Sequence, residues 1–386
     1  MWPCSPPYII KRNSCTRSLN NQSNYYYSDS RFGAWANREE LQPTSQEALA
    51  REFGHPKNVA WSGGPLHCEC EHGVDFWAHG GKYIKDNVIA IKAVSFNDNI
   101  YIITPRLKRG VLATVWQVIK GRHGVELDAF PSVTDHVLAD CDAIQNAVDC
   151  HLDHLGNLWV LDSGIVDTID NPRCTCPPKV VVVNIVLKKV TKTIKLTSTA
   201  EPMSQLQNIV VEYAITGTFI YISDASRGAI IVHDVSSNDG WSVLVCAPAI
   251  GIQLALVKRG PLHNSLMLVR INHKGVMELD TATLKRKICN SPLTVIGEKD
   301  KAVFLLGFDA HHLYLRHSEC ADVLSWDIQK PYSNLINIHS AGPQMVPTSV
   351  TSDPLKYSLL VLDTNYAETV LQTKATYHKL TFIGQV

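Results

Sequence analysis

Within the stretch HCECEH, His67, Cys68, Cys70 and His72 offer the thiolates and imidazoles that zinc prefers. The Cys-x-Cys spacing is tighter than the two-to-four-residue spacing of ordinary structural zinc sites, so a disulfide is expected here and no metal. A second group, Asp149, His151, Asp153 and His154, mixes carboxylates with imidazoles. On an alternating strand His151 and Asp153 face one way and His154 the other, which argues against one coordination sphere. A third set is more regular. Asp162, Asp224 and Asp363, with Arg106, Arg270 and Arg316, each close or follow the first apolar run of a successive unit of the chain. If those units are arranged radially, the six side chains converge on an axis or on one rim. A polar lining of that kind binds a small ligand or ion. The competing reading is that they hold turns and neighbouring units together by hydrogen bonds. No Gly-x-Ser-x-Gly elbow, P-loop, Gly-x-Gly-x-x-Gly or His-Glu-x-x-His occurs, so no cofactor is expected and no ready-made catalytic group stands out.

The elements that must position these residues are short. Leu158-Trp159-Val160-Leu161 and Val180-Val181-Val182-Val183 are too brief for ordinary helices and are bounded by turn residues, so both are strands. Runs like the first recur at Ile100–Thr104, Ile220–Asp224, Leu266–Arg270, Leu313–Arg316 and Leu359–Asp363. A second run ending near an acid follows several of them, as in Ile230–Asp234, Val276–Asp280 and Val323–Asp327. Repeats of about 45 to 50 residues with three or four strands are what propeller blades require. An all-β fold, one six-bladed β-propeller over residues 56–386, is therefore expected. Residues 1–55 are rich in Ser, Asn, Tyr and Arg and read as a mostly disordered tail, with a short helix around Ser45–Phe53. The other helical stretch expected is Asp140–Val148.

Composition narrows the function. Lys plus Arg and Asp plus Glu are both 36, which removes the basic footprint of a nucleic-acid binder. The longest apolar stretch, Leu244–Val257, is interrupted by Pro248, Gly251 and Gln253, so no membrane partner is expected. Eleven cysteines, with Cys68, Cys70, Cys141, Cys150, Cys174 and Cys176 in close company, suit an oxidising compartment. The N-terminal stretch lacks the apolar core of a signal peptide, and the natural start is expected to lie elsewhere.

Three segments together resemble the insect yellow/major royal jelly protein family. They are Leu158–Val166 followed by Asn171-Pro172 and Cys176-Pro177-Pro178-Lys179; Thr104-Pro105-Arg106 through Gly110-Val111 and Ala113-Thr114; and Ser223-Asp224-Ala225 with Ile230–Asp234. Leu112 stands where the family usually has proline. Trp61–Gly64 and Tyr83–Ala90 look closest to the yellow-g branch, associated with the eggshell. Many members have a cysteine where this chain has Leu155, so the family bridge is displaced here and Cys150 is expected to pair with Cys141.

The resemblance implies a secreted protein and three competing functions. The first is a contribution to eggshell or cuticle formation and melanisation, among matrix proteins and without strong catalysis. The second is a dopachrome-converting isomerase, which needs an acid–base group beside a carbonyl. The third is a binder of small aromatic amines, which needs an aromatic face and an acid for the ammonium.

Overall fold

The computed structural model describes residues 58–386 apart from 68–82, 122–123, 203, 262, 272, 288–292, 299–300, 319, 354, 356–357, 367–374 and 385–386. The expected tail with its helix, and Cys68, Cys70 and His72, lie outside the described residues. Six four-stranded sheets form a propeller. The first strand, β1 (Asn58–Ser62), belongs to the last blade. Blade 1 is β2 (Lys92–Phe96), β3 (Asn99–Ile103), β4 (Val115–Gly121) and β5 (Gly124–Ala129). Blade 2 is β6 (Ala147–Leu152), β7 (Asn157–Asp162), β10 (Lys179–Asn184) and β11 (Lys189–Lys195). A small hairpin, β8 (Ile165–Val166) and β9 (Arg173–Cys174), is inserted between β7 and β10. Blade 3 is β12 (Leu206–Ala214), β13 (Gly217–Asp224), β14 (Ala229–Asp234) and β15 (Asp239–Leu244). Blade 4 is β16 (Ile252–Gly260), β17 (His263–Arg270), β18 (Gly275–Asp280) and β19 (Thr294–Glu298), with a short helix α1 (Thr281–Lys285) after β18. Blade 5 is β20 (Val303–Phe308), β21 (His312–His317), β22 (Asp322–Asp327) and β23 (Ile336–Ser340). Blade 6 is β24 (Val346–Ser352), β25 (Ser358–Thr364) and β26 (Tyr377–Gly384), completed by β1.

The blades explain why the second and third strands are apolar on both faces. In β10, Val181 and Val183 pack with blade 1 while Val180 and Val182 pack with blade 3. Each sheet is sandwiched between its neighbours, so alternation gives way to a continuous run. The ring closes through distant parts of the chain: β1 pairs with β26, and Trp61 stacks on its partner His378 with ring centroids 4.9 Å apart.

Side chains stitch the inner strands together around the axis. Lys92 of blade 1 donates to Asp149 of blade 2 at 2.7 Å, and Asp149 also accepts from Asn208 and from the backbone N–H of Ile209 in blade 3. Asn208 accepts from Leu254 of blade 4, Gln253 bonds Leu305 of blade 5 both ways, and Thr351 of blade 6 donates to Ala93 of blade 1. Burial opposes the charge on Lys92, but Asp149 outweighs it and raises the Lys92 pKa. His151 of blade 2 and Phe308 of blade 5, on opposite sides of a six-membered ring, stack across the axis with centroids 6.3 Å apart.

The segment Asp140–Val148 is not helical; it is turns leading into β6. The buried Gln145 side chain supplies what a helix would otherwise supply. Its Nε2 donates to the carbonyls of Val137, Asp140 and Ala143, and its Oε1 accepts from the N–H of Ala139. The expected Cys141–Cys150 bridge is also corrected: Cys141 is bonded to Cys176. Cys150 is a buried thiol on β6, and the Sγ of Cys174 on β9 bonds the carbonyl oxygen of Cys176. Cys150 points into the packing between blades 1 and 2, away from the loop that carries Cys141.

Between blades 3 and 4, buried Glu212 fastens α1 to β12. It accepts from Tyr221, Asn264, Thr281 and Lys285, the last at 3.0 and 3.1 Å. Glu212→Ala leaves a half-buried ammonium and several polar groups unpaired, and is expected to cost about 3 kcal/mol in urea unfolding. The double variant Glu212→Leu with Lys285→Met removes both charges and is expected to be the more stable of the two. A double variant weaker than the single would contradict this account.

Candidate functional site

The six polar residues picked out from the sequence all sit at or just beyond the C-terminal ends of second strands, so they share one face of the ring. That face also carries the long connections 104–114, 130–146 and 163–178. Strand alternation then decides which gap between blades each side chain enters.

Arg106, Asp162 and Asp224 are bound up in the loops of their own face. Arg106 donates from Nε to the Val111 carbonyl and from its Nη atoms to the carbonyls of Leu112, His136, Ile144 and Gln145. Burial pulls its pKa down to about 10, against the attraction of Asp162 and Asp167. In β7, Leu158 and Val160 pack toward blade 1, and Asp162 follows them. Its two oxygens accept the N–H groups of Gln145, Asn146 and Gly164, and Lys179 lies 3.5 Å away. Asp224 follows Ile220 and Ile222 toward blade 2, where it accepts from Ser204, Gln205 and Ser226.

The remaining three differ. Arg270 follows Leu266 and Leu268 toward blade 3, and its Nε is a buried donor with no hydrogen-bond partner among the described residues. Arg316 follows Tyr314 toward blade 6, and Asp363 follows Leu359 and Val361 toward blade 5. These two therefore enter the same gap from opposite walls. Arg316 is 6% exposed and Asp363 is fully buried. The Nε of Arg316 and the Oδ1 of Asp363 are both buried without a partner among the described residues. The Arg316 guanidinium lies over the Phe304 ring, 4.3 Å from its centroid, in a cation–π contact. His339, from the outer strand of blade 5, reaches across and places Nε2 2.8 Å from Asp363 Oδ2. Lys379, paired with Asp363 on β26, is half-buried beside them.

The structure thus brings together Arg316 and Asp363, and keeps Arg106, Asp162, Asp224 and Arg270 in other gaps. Sequence reasoning did not find His339 or Phe304. Neither belongs to a motif, and a fourth strand touching the second strand of the next blade leaves no local signal. The earlier metal-like clusters go separate ways. His67 pairs with Glu126 at 2.7 Å, Asp149 serves the inner ring, His151 stacks on Phe308, and Asp153 accepts from Tyr213 and Trp159 while His154 meets the Tyr213 ring edge-on.

The fold is thus a six-bladed propeller, and one gap on its loop-rich face carries a cation over an aromatic ring and a carboxylate bonded to an imidazole. The fold is shared with the α-L-arabinofuranosidase of Fusarium graminearum, at 9% identity and a TM-score of 0.50, covering 84% of this chain and 97% of that one. Sequence comparison is more specific. Residues 145–246 match the family model described as major royal jelly protein. The dopaminechrome tautomerase of Drosophila melanogaster is 25% identical over 171 residues, and the protein yellow of the same organism is 26% identical over 168. Each match covers 42% of this chain, but only 37% and 31% of the length of those relatives. Over this central stretch the chain is similar to the yellow/major royal jelly proteins.

Proposed function

We propose that this chain is an extracellular yellow-type protein that binds and isomerises a small quinone derived from an aromatic amine, on its loop face between blades 5 and 6. The observation that carries this reading is the pair of buried polar atoms facing one gap, Arg316 Nε and Asp363 Oδ1, each without a partner among the described residues. Leaving such atoms unpaired costs about 1–3 kcal/mol each, and a ligand with an oxygen acceptor and an N–H donor repays both. The similarity to a protein named dopaminechrome tautomerase supports the substrate class. The Cys141–Cys176 bridge supports an oxidising compartment. Melanisation of eggshell or cuticle is the setting, in line with the yellow-g-like residues Trp61–Gly64 and Tyr83–Ala90. Purified protein is expected to accelerate the colour loss of dopaminechrome at least tenfold over buffer. No acceleration by folded protein removes the catalytic reading.

A second reading is binding of the parent amine without turnover, for which Asp363 and the Phe304 ring supply the acid and the aromatic face. Calorimetry with dopamine separates the two: a saturable heat without bleaching of dopaminechrome supports it, and a flat titration ends it.

A further inference from the structure

Resting on that reading, we propose that His339 is the group that moves the proton, that Asp363 positions it, and that Arg316 receives the oxygen on which negative charge develops. The hydrogen bond from His339 to Asp363 fixes the roles of the two ring nitrogens. A carboxylate oxygen only accepts, so Nε2 carries the hydrogen and Nδ1 of the neutral ring carries the lone pair. The imidazole is 10% exposed against a fully buried carboxylate, so the dyad is anchored at its acid end and reachable at the ring. An imidazole held this way by an acid is a general base with a defined direction.

Arg316 is suited to the complementary task. The Phe304 ring, 4.3 Å away, and the His317 carbonyl hold its guanidinium, and Nε is a buried donor without a partner among the described residues. A fixed, dehydrated donor near a forming oxyanion stabilises it without reorganising. Asp363 Oδ1, without a partner among the described residues, accepts an N–H from the same ligand. The three contacts describe one class of substrate: a small conjugated carbonyl compound with an N–H and an acidic C–H between them.

The step balances without any other reagent. The C–H bond breaks as its proton passes to Nδ1 of His339. The electron pair moves through the conjugated ring to the carbonyl oxygen, opposite Arg316. That oxygen then takes the proton back from His339, leaving an isomer of the substrate and the enzyme unchanged. Nothing is oxidised or reduced overall.

The test uses the full chain with dopaminechrome as the probe and compares wild type with His339→Gln, His339→Gly, Asp363→Asn and Arg316→Lys, each checked for an unchanged thermal midpoint. His339→Gln is expected to lower kcat at least 100-fold with KM within threefold, since general-base catalysis contributes about 100- to 10,000-fold. Added imidazole is expected to restore part of the rate to His339→Gly and none to Asp363→Asn. Arg316→Lys is expected to lower kcat more than it raises KM. Wild-type turnover that survives intact in folded His339→Gln and Asp363→Asn overturns this assignment and leaves the proposed function standing. Absence of turnover in the wild type overturns both. If His339→Gln does not fold, imidazole rescue of His339→Gly decides, and no rescue counts against the proposal.

Discussion

Replacing Asp162 with alanine is expected to lower the stability of the propeller by about 5 kcal/mol. The carboxylate is fully buried and accepts three backbone N–H groups, those of Gln145, Asn146 and Gly164. Alanine strands all three in a site with no room for solvent, and each stranded group costs about 1–3 kcal/mol. It also leaves Lys179, whose ammonium is equally buried, with only the carbonyls of Cys141 and Ala143. The effect spreads, because Asn146 accepts the N–H of Arg106, and Arg106 grips five carbonyls across 111–145. Asp162→Asn keeps the shape but turns an amide N–H₂ toward other donors, and is expected to cost about half as much. Urea denaturation compares them. A loss under 1 kcal/mol for Asp162→Ala would mean that the loop 130–146 holds its shape without this acid.

The same residue shows how far the sequence speaks. The recurring run that ends on an acid or an arginine marked where each second strand stops, and so placed six side chains on one face. Strand alternation was also legible within each run: Asp162 shares a side with Leu158 and Val160. What the sequence does not carry is which neighbouring blade each side meets, and that depends on the order of sheets around the ring. For this reason Arg316 and Asp363 share a gap while Asp162 and Asp224 do not. Cysteine pairing fails for a similar cause. Cys141 and Cys150 are close along the chain, yet β6 carries Cys150 into the core, and the insertion between β7 and β10 brings Cys176 back to Cys141. His339 and the closing strand β1 are long-range contacts of the same kind.

Acidification is expected to destabilise the fold steeply below about pH 6.5, before ordinary carboxylates titrate, because three histidines are built in as neutral groups. His136 donates from Nε2 to the Phe130 carbonyl and accepts the Thr114 N–H at Nδ1, so its tautomer is set from both sides. Burial, opposed by the Phe130 carbonyl and aided by Arg106, lowers its pKa to about 3. His378 accepts the Ala90 N–H at Nε2 and lies stacked on Trp61; burial lowers it to about 3. For His151 burial and then Lys92 lower the value to about 4, against Asp153. The unfolded chain binds these three protons near pH 6.5, and the folded chain does not until pH 3–4. Over that window the unfolded state holds more protons, so stability rises with pH and falls as pH drops. Each proton contributes about 1.4 kcal/mol per pH unit, so the three together give a slope of about 4 kcal/mol per unit near pH 5. Two such units remove about 8 kcal/mol, a large share of the total of about 5–15 kcal/mol for a folded domain. The measurement is the urea midpoint from pH 7.5 to 4.5 in wild type and in His378→Gln, which keeps an acceptor for Ala90 and cannot be protonated. Wild type is expected to lose most of its midpoint over this range, and His378→Gln to show a slope lower by about one third. A flat profile in the wild type, or equal slopes in the two proteins, would show that these rings gain protons without leaving the core.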